Sequence, residues 1–366
     1  MIRQHGKLTF LSFLLVVLCG NTFAQKIPVI PLDLDSLITV GYATGSLKTL
    51  SGSVEKITEK QMNKDQVTNP LEAIRGRVPG LTIQRGTNGP AALDAVRLRG
   101  TTSLTSGNDP LIIVDGVFGD LSMLTSIYPT DIESFTILKD ASETAQYGSR
   151  GASGVIEVTT KKGMQGRTQV AYNGSFGIST VYKNLKMLSG DEFRSVASER
   201  GISILDKGNN TNFQKEIQQT GLQQNHHVAF YGGSSTSSYR VSLGFMDRQG
   251  VILNEDMKNF TSNMNMNQKM FDGFFDCELG MFGSILKNHN LVDYQKTFYS
   301  AATFNPTYPN HKDPVTNSWD GITTASQITN PLAWMQVDDD DATSHISTHA
   351  RFTFNLMKEL KLVLFG

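Results

Sequence analysis

From about residue 165 onward, apolar and polar residues alternate along the chain with a period of two. The stretches 167–180, 225–232, 238–247, 260–270, 274–286, 346–356 and 359 onward each read as a long β-strand with one apolar and one polar face. Asn263, Met264, Asn265, Met266 and Asn267 give the cleanest case, with methionines on one face and asparagines on the other. Gln249-Gly250 and Asp272-Gly273 are turn candidates between such strands. Residues 288–343 break the pattern as a long polar loop containing Pro306, Pro309, Pro314, Pro331, Trp319 and Trp334, and ending in the acidic run 338–341. That length is unusual for a simple connection and marks the loop as a candidate contact surface.

The first half has a different texture. Residues 131–163 read as strand, short helix, glycine turn, strand. Ile132, Phe135, Ile137 and Leu138 form a β-prone run, Asp140 with Glu143 has capping-box spacing, Gly148 is a stop, and Val155, Ile156 and Val158 begin a second strand. Upstream, a strand is predicted over 51–57. Asn69-Pro70 opens a helix over 71–75, because asparagine caps and proline suits the first helical position. Gly76 and Pro79-Gly80 end that helix, and short strands follow at 81–84, 95–98 and 111–115. These elements predict a small α+β domain. Residues 25–45 carry Pro28, Pro31 and a short apolar run without a helical period, and read as extended and flexible.

Arg3 and Lys7 precede an apolar core from Leu8 to Cys19, and Thr22, Phe23 and Ala24 follow, which is the pattern of a secretory signal cut after Ala24. The core is too short to span a bilayer, which takes about 20 residues. A lipoprotein reading of Cys19 is disfavoured by Leu18 before it. After cleavage Cys277 is the sole cysteine, so no intrachain disulfide is expected. A net charge of -1 and scattered Lys and Arg argue against a nucleic-acid partner. No later apolar run is long enough for a membrane helix, so any membrane passage would use β-strands closed as a barrel. GxSxG, GxGxxG, P-loop and HExxH strings do not occur. His226 and His227 point to opposite faces of a strand, and His345 and His349 on one strand face would stand roughly 13 Å apart, too far for one metal. No catalytic group, metal or cofactor is expected.

Several blocks in order carry a resemblance. They are Leu98-Arg99-Gly100, then 107–111 (GNDPL), Val114-Asp115-Gly116, Pro129, Asp131-Ile132-Glu133, Lys139-Asp140-Ala141, Tyr147-Gly148-Ser149-Arg150, and the strand beginning at Gly154. Over about 35–163 the chain resembles the plug region of SusC/RagA-type TonB-dependent outer-membrane receptors. The resemblance implies an α+β plug followed by antiparallel transmembrane β-barrel strands. Asp35, Ser36, Leu37, Ile38, Thr39, Val40, Gly41 and Tyr42 look like the TonB box, a segment that must be extended to add itself as a strand to TonB. The implied organisation is a signal peptide at 1–24, a flexible N-terminus with the box at 25–45, a plug at 46–163, and the N-terminal portion of a barrel at 164–366, with an extracellular loop near 288–343. Plug arginines such as Arg75, Arg77, Arg97, Arg99 and Arg150 would pair with inward carboxylates of the barrel.

By the same resemblance the partners are TonB with ExbB and ExbD, a SusD-like surface lipoprotein, a glycan or peptide substrate, and outer-membrane lipid of a Gram-negative cell. The expected function is nutrient import gated by the plug. The alternative is a surface binding or adhesion protein on the same scaffold. Family barrels have about 22 strands, more than the alternating segments here supply, so the chain reads as an N-terminal fragment of a longer receptor. The carboxypeptidase-regulatory-like domain that often precedes the box in this family has no counterpart in residues 25–34.

Overall fold

The computed structural model describes residues 37–40, 43–46, 52–63, 67, 69–86, 89–90, 92–104, 107–291, 293–320, 330–337, 339–357 and 360–366. Two short strands, β1 (Leu37–Val40) and β2 (Ala43–Ser46), pair antiparallel with Leu37 opposite Ser46. Leu37 to Val40 of the expected TonB box are therefore extended. Asp35, Ser36, Gly41 and Tyr42 lie outside the described residues, as does the predicted leader.

The first body is built on a five-stranded mixed sheet. In spatial order it runs β3 (Val54–Thr58), β8 (Ile132–Leu138), β9 (Val155–Thr160), β6 (Leu111–Val114) and β7 (Val117–Gly119). β6 and β9 are parallel and the other neighbours antiparallel. A separate hairpin joins β4 (Leu81–Gln84) to β5 (Ala95–Leu98). Nearly continuous apolar runs suit β6, β8 and β9 because most of their side chains, on both faces, are buried. The core gathers Leu71, Ile74, Ile112, Phe135, Ile137 and Ile156, all essentially inaccessible. Each contributes roughly 1.5–3 kcal/mol by leaving water.

Asn69 caps as predicted: its Oδ1 accepts from Leu71 N at 3.0 Å, Pro70 takes the first position, and a single 3₁₀ turn, Pro70–Ile74, results. The capping box expected at Asp140 does not form. Asp140 makes no cap bond to the short helix Ala141–Thr144. Its carboxylate instead accepts from Ser53 N at 2.6 Å and pairs with Arg99. A tertiary partner has won over a local one.

The second body is a seven-stranded antiparallel meander: β10 (Gly166–Ser179), β11 (Gly221–Gly233), β12 (Ser237–Gln249), β13 (Asp256–Met270), β14 (Phe275–His289), β15 (Asp340–Met357) and β16 (Leu360–Phe365). The sheet is open, with β10 and β16 as its edges. Its two faces are reversed relative to a soluble sheet. On one side Asn225, Arg240, Ser242, Asn259, Asn263 and Asn265 are buried, and Arg240, Ser242, Asn259 and Asn265 of these contact the first body. On the other side Leu243, Phe245, Phe260, Met264, Met266 and Ile285 are 36–49% exposed. Polar in and apolar out is the pattern of a barrel wall whose outside meets lipid and whose inside meets a polar filling. The methionine and asparagine alternation of β13 is this division read along one strand.

Connections alternate in length. One end of the sheet carries tight turns, including Asp272 (φ 52) and Gly273 (φ 85) between β13 and β14. The opposite end carries 180–220, 250–255 and, of the connection between β14 and β15, the described residues 290–291, 293–320, 330–337 and 339. These three pack on one another as a cap around Phe213, Ile217, Ile252, Leu291, Phe304 and Leu332. The long loop expected at 288–343 is thus shorter and partly folded. β14 runs to His289 and β15 begins at Asp340, where His289 Nδ1 and Asp340 Oδ1 stand 2.7 Å apart. Between them lie the helices Tyr294–Thr303, capped by Asp293, and Pro331–Trp334, capped by Asn330. A further helix, Gly190–Glu199, carries a complete capping box from Ser189 and Glu192.

Candidate functional site

The seam where the wall closes on the first body is held mainly by polar contacts. At its centre stands Asp131, only 2% exposed, placed on the single turn Pro129–Asp131 that leads into β8. Two wall strands reach it. Arg240 Nη2 donates to Asp131 Oδ1 at 2.9 Å, and Ser242 Oγ donates to Oδ2 at 2.6 Å. From the neighbouring strand His227 Nε2 lies 3.0 Å from Oδ2. Burial alone would raise the Asp131 pKa. Contacts with His227, Ser242 and Arg240 outweigh it and hold the carboxyl below the usual carboxylate range. The carboxylate is therefore ionised at neutral pH.

Tyr128 completes the cluster. Its ring stacks on His227 with centroids 4.6 Å apart and planes at 23°. Burial, reinforced by Asp131, pushes the Tyr128 phenol up to about 12, so it stays neutral. Gly244 makes room for the ring, since a Cβ there would stand 2.3 Å from Tyr128 Cδ2 and 2.5 Å from Thr261 Oγ1. Replacing Gly244 with alanine forces the Tyr128 ring to move. The expected cost is about 1–3 kcal/mol, seen as a lower unfolding temperature of the full-length receptor in detergent, whereas an unchanged temperature would mean that the ring yields freely.

Further along the seam, Asn259 Nδ2 donates to Thr125 O at 2.9 Å and Asn265 Nδ2 to Thr160 Oγ1 at 3.0 Å. Ser126 and Ser284 face each other with their hydroxyl oxygens 3.0 Å apart, and Lys162 pairs with Glu278. Apolar contacts cross the seam at two places: Phe282 of β14, 1% exposed, enters the core of the first body, and Tyr128 packs with Met246 and Met257 of the wall.

The expected pairing of plug arginines with wall carboxylates does not hold. Arg75 pairs with Asp94, Arg97 with Asp109 and Arg99 with Asp140, all within the first body, while Arg77 donates to Asn63. At the Asp131 cluster the polarity is reversed, the wall supplying the guanidinium. Lys162 with Glu278 keeps the expected sense, through a lysine.

Other motif residues serve the interior of the first body. Asp115 (φ 49) and Gly116 (φ 94) make the tight turn from β6 to β7, and Asp115 accepts from Thr160 N at 2.9 Å and Thr160 Oγ1 at 2.6 Å. Arg99 and Gly100 likewise adopt positive φ, 57 and 101. Lys139 Nζ reaches Glu55 at 2.7 Å and Pro79 O at 3.0 Å. Tyr147 packs edge-on against Phe118. Gly148 kinks the chain after the short helix, and a Cβ on Gly154 would meet Leu98 Cδ1 at 2.5 Å. Glu133 and Arg150 are exposed and join none of these clusters. His227, Arg240 and Ser242 had no predicted role, and the alternation of Asn225, His227 and Ala229 on the inward face is the only signal that the sequence offered for them. His345 and His349 share the inward face of β15, and no group of three or more metal-ligating side chains exists among the described residues.

A model of the TonB-dependent receptor plug domain matches residues 46–155. The TonB-dependent receptor SusC of Bacteroides thetaiotaomicron is 31% identical over 362 aligned residues, which cover 90% of this chain and 36% of SusC. The chain belongs to the SusC/RagA-type TonB-dependent receptors. The first body is thus the plug, and the seven-stranded sheet is barrel wall. TonB-dependent receptor P3 of Formosa agariphila is 35% identical over 266 residues, covering 72% of this chain and 26% of that receptor. A solved structure of the RagAB peptide importer in its open-open state superposes with a TM-score of 0.76 at 24% identity, over 90% of this chain and 42% of the importer chain. The chain therefore spans about a third of SusC. Receptors of this class are outer-membrane β-barrel proteins.

Proposed function

We propose that this chain forms the plug and first wall strands of an outer-membrane importer that takes up an oligosaccharide or a peptide, with the plug as gate and TonB as the source of force. The single observation that carries this reading is the character of the seam. Plug and cap each have an apolar core of their own, yet the surface between plug and wall is mostly hydrogen bonds and ion pairs. Such contacts are replaceable by water at a net cost of about 0.5–1.5 kcal/mol for each neutral hydrogen bond and about 1.5–3 kcal/mol where a charge takes part, which suits a body that must shift inside a wet lumen. In this reading residues 35–42 are the TonB box, 25–45 the flexible segment bearing it, 46–163 the plug and 164–366 the start of the barrel. The box pairs with TonB, driven by ExbB and ExbD, and the pull frees the plug.

The cap belongs to the outer face of the membrane, where a SusD-like lipoprotein would cover it and help to capture substrate. Deleting residues 35–42 in the full-length receptor should abolish uptake and binding of the TonB periplasmic domain, while substrate still binds at the cell surface. Undiminished uptake would remove the box assignment.

A further inference from the structure

The strand that the box reading gives to TonB already has a neighbour. β1 (Leu37–Val40) and β2 (Ala43–Ser46) are joined by residues 41 and 42 alone, and they form a two-stranded sheet of their own, apart from the five-stranded sheet of the plug. β2 lies beyond the box residues 35–42. One edge of β1 pairs with β2, and among the described residues no strand occupies its other edge.

The register shows what each strand contributes. Leu37 stands opposite Ser46, Ile38 opposite Gly45, Thr39 opposite Thr44 and Val40 opposite Ala43. Ile, Thr and Val of β1 favour strands, whereas Ala and Gly of β2 are depleted in them. Cross-strand pairs of side chains are the unit of sheet stabilisation, and here a larger residue mostly faces a smaller one. β2 therefore gives β1 backbone pairing and little more. A lone two-stranded hairpin is marginal in water, and a third strand is what this one lacks.

We propose, on the box reading above, that the unit recognised by TonB is the hairpin 37–46 rather than the box strand alone: β2 holds β1 extended, and an edge strand of TonB pairs with the open edge of β1. An exposed strand edge is a template for pairing with another chain. Main-chain hydrogen bonds across the new edge give affinity, and the alternating side chains of β1 give specificity. Residues that are already extended have less freedom to lose on binding, so the hairpin favours association by preorganisation. Apparent affinity then follows the fraction of receptors in which the hairpin is formed. Residues 43–46 control TonB binding through that fraction, although TonB pairs with none of them.

Binding of the TonB periplasmic domain to the full-length receptor in detergent tests this. Ala43→Thr with Gly45→Thr raises the strand preference of β2 while leaving residues 35–42 intact, and should tighten binding roughly three- to tenfold. Ala43→Pro with Gly45→Pro takes two backbone donors from β2 and should weaken binding roughly tenfold. Substrate binding at the cell surface, which reports a folded receptor, should be the same in all of them. On addition of the TonB domain to the wild type, the amides of 43–46 should exchange more slowly together with those of 37–40. Proline variants that bind TonB as tightly as the wild type, or threonine variants that bind it less tightly, would overturn the proposal, because TonB would then take a lone strand or displace β2. Deleting residues 37–40 separates this outcome from failure of the box itself. Binding that survives the deletion removes the box, whereas binding that is lost on deletion yet indifferent to β2 removes only the hairpin.

Discussion

Asp131→Ala should loosen the plug more than any other single truncation along the seam. It leaves the Arg240 guanidinium, the Ser242 hydroxyl and the His227 ring buried around an empty space. Removing one partner of a buried ion pair costs about 3–5 kcal/mol, because the remaining charge has neither water nor counter-ion. That is a large share of the stability of a typical domain. The plug of the full-length variant should become open to protease at a urea concentration that leaves the wild-type plug intact, with the barrel still folded. Asp131→Ala combined with Arg240→Met should recover much of the loss, since the stranded charge is gone.

This latch depends on pH through Asp131 itself. The folded Asp131 pKa lies below its ordinary value of 3.8. The stabilisation is therefore present above about pH 3.8 and is lost as pH falls through the lower, folded value. A variant plug as protease-resistant as the wild type would show that Asp131 is not what seats it.

The two faces of the wall were legible in the sequence because strand alternation is a local property: Asn263 to Asn267 states it in five residues. The Asn69-Pro70 cap was legible for the same reason, since cap geometry is decided within a few residues. Pairings between distant residues were not. Asp140 has the spacing of a capping residue, yet Ser53, far away in sequence, takes one of its oxygens. Which guanidinium meets which carboxylate depends on how the plug is rotated inside the wall, and nothing in the spacing of Arg75, Arg97 or Arg99 records that rotation. The folded cap is not legible in the sequence for a related reason. Its apolar residues are spread over 213–217, 252, 291–304 and 332–335, so that no one segment is apolar enough to signal a core.

The reading of the plug as a gate depends on its moving against the wall, and Ser126 with Ser284 offers a way to stop it. The two side chains come from plug and wall, are buried, and have their oxygens 3.0 Å apart. With the two hydroxyl oxygens already in contact, cysteines placed there would bring their sulfurs to within reach of each other, which makes the pair a candidate for a disulfide. Cys277, the one free cysteine among the described residues, can be changed to serine to keep the chemistry clean. A covalent bond between plug and wall is beyond anything that loosened hydrogen bonds could release.

The deciding measurement is receptor-dependent growth of whole cells on glycan or peptide mixtures, with Ser126→Cys and Ser284→Cys introduced together into the full-length receptor lacking Cys277. With the disulfide formed, growth should fall to the level of cells lacking the receptor, and a reductant should restore it, while each single variant grows normally. Import that continues undiminished through the locked receptor would contradict the account.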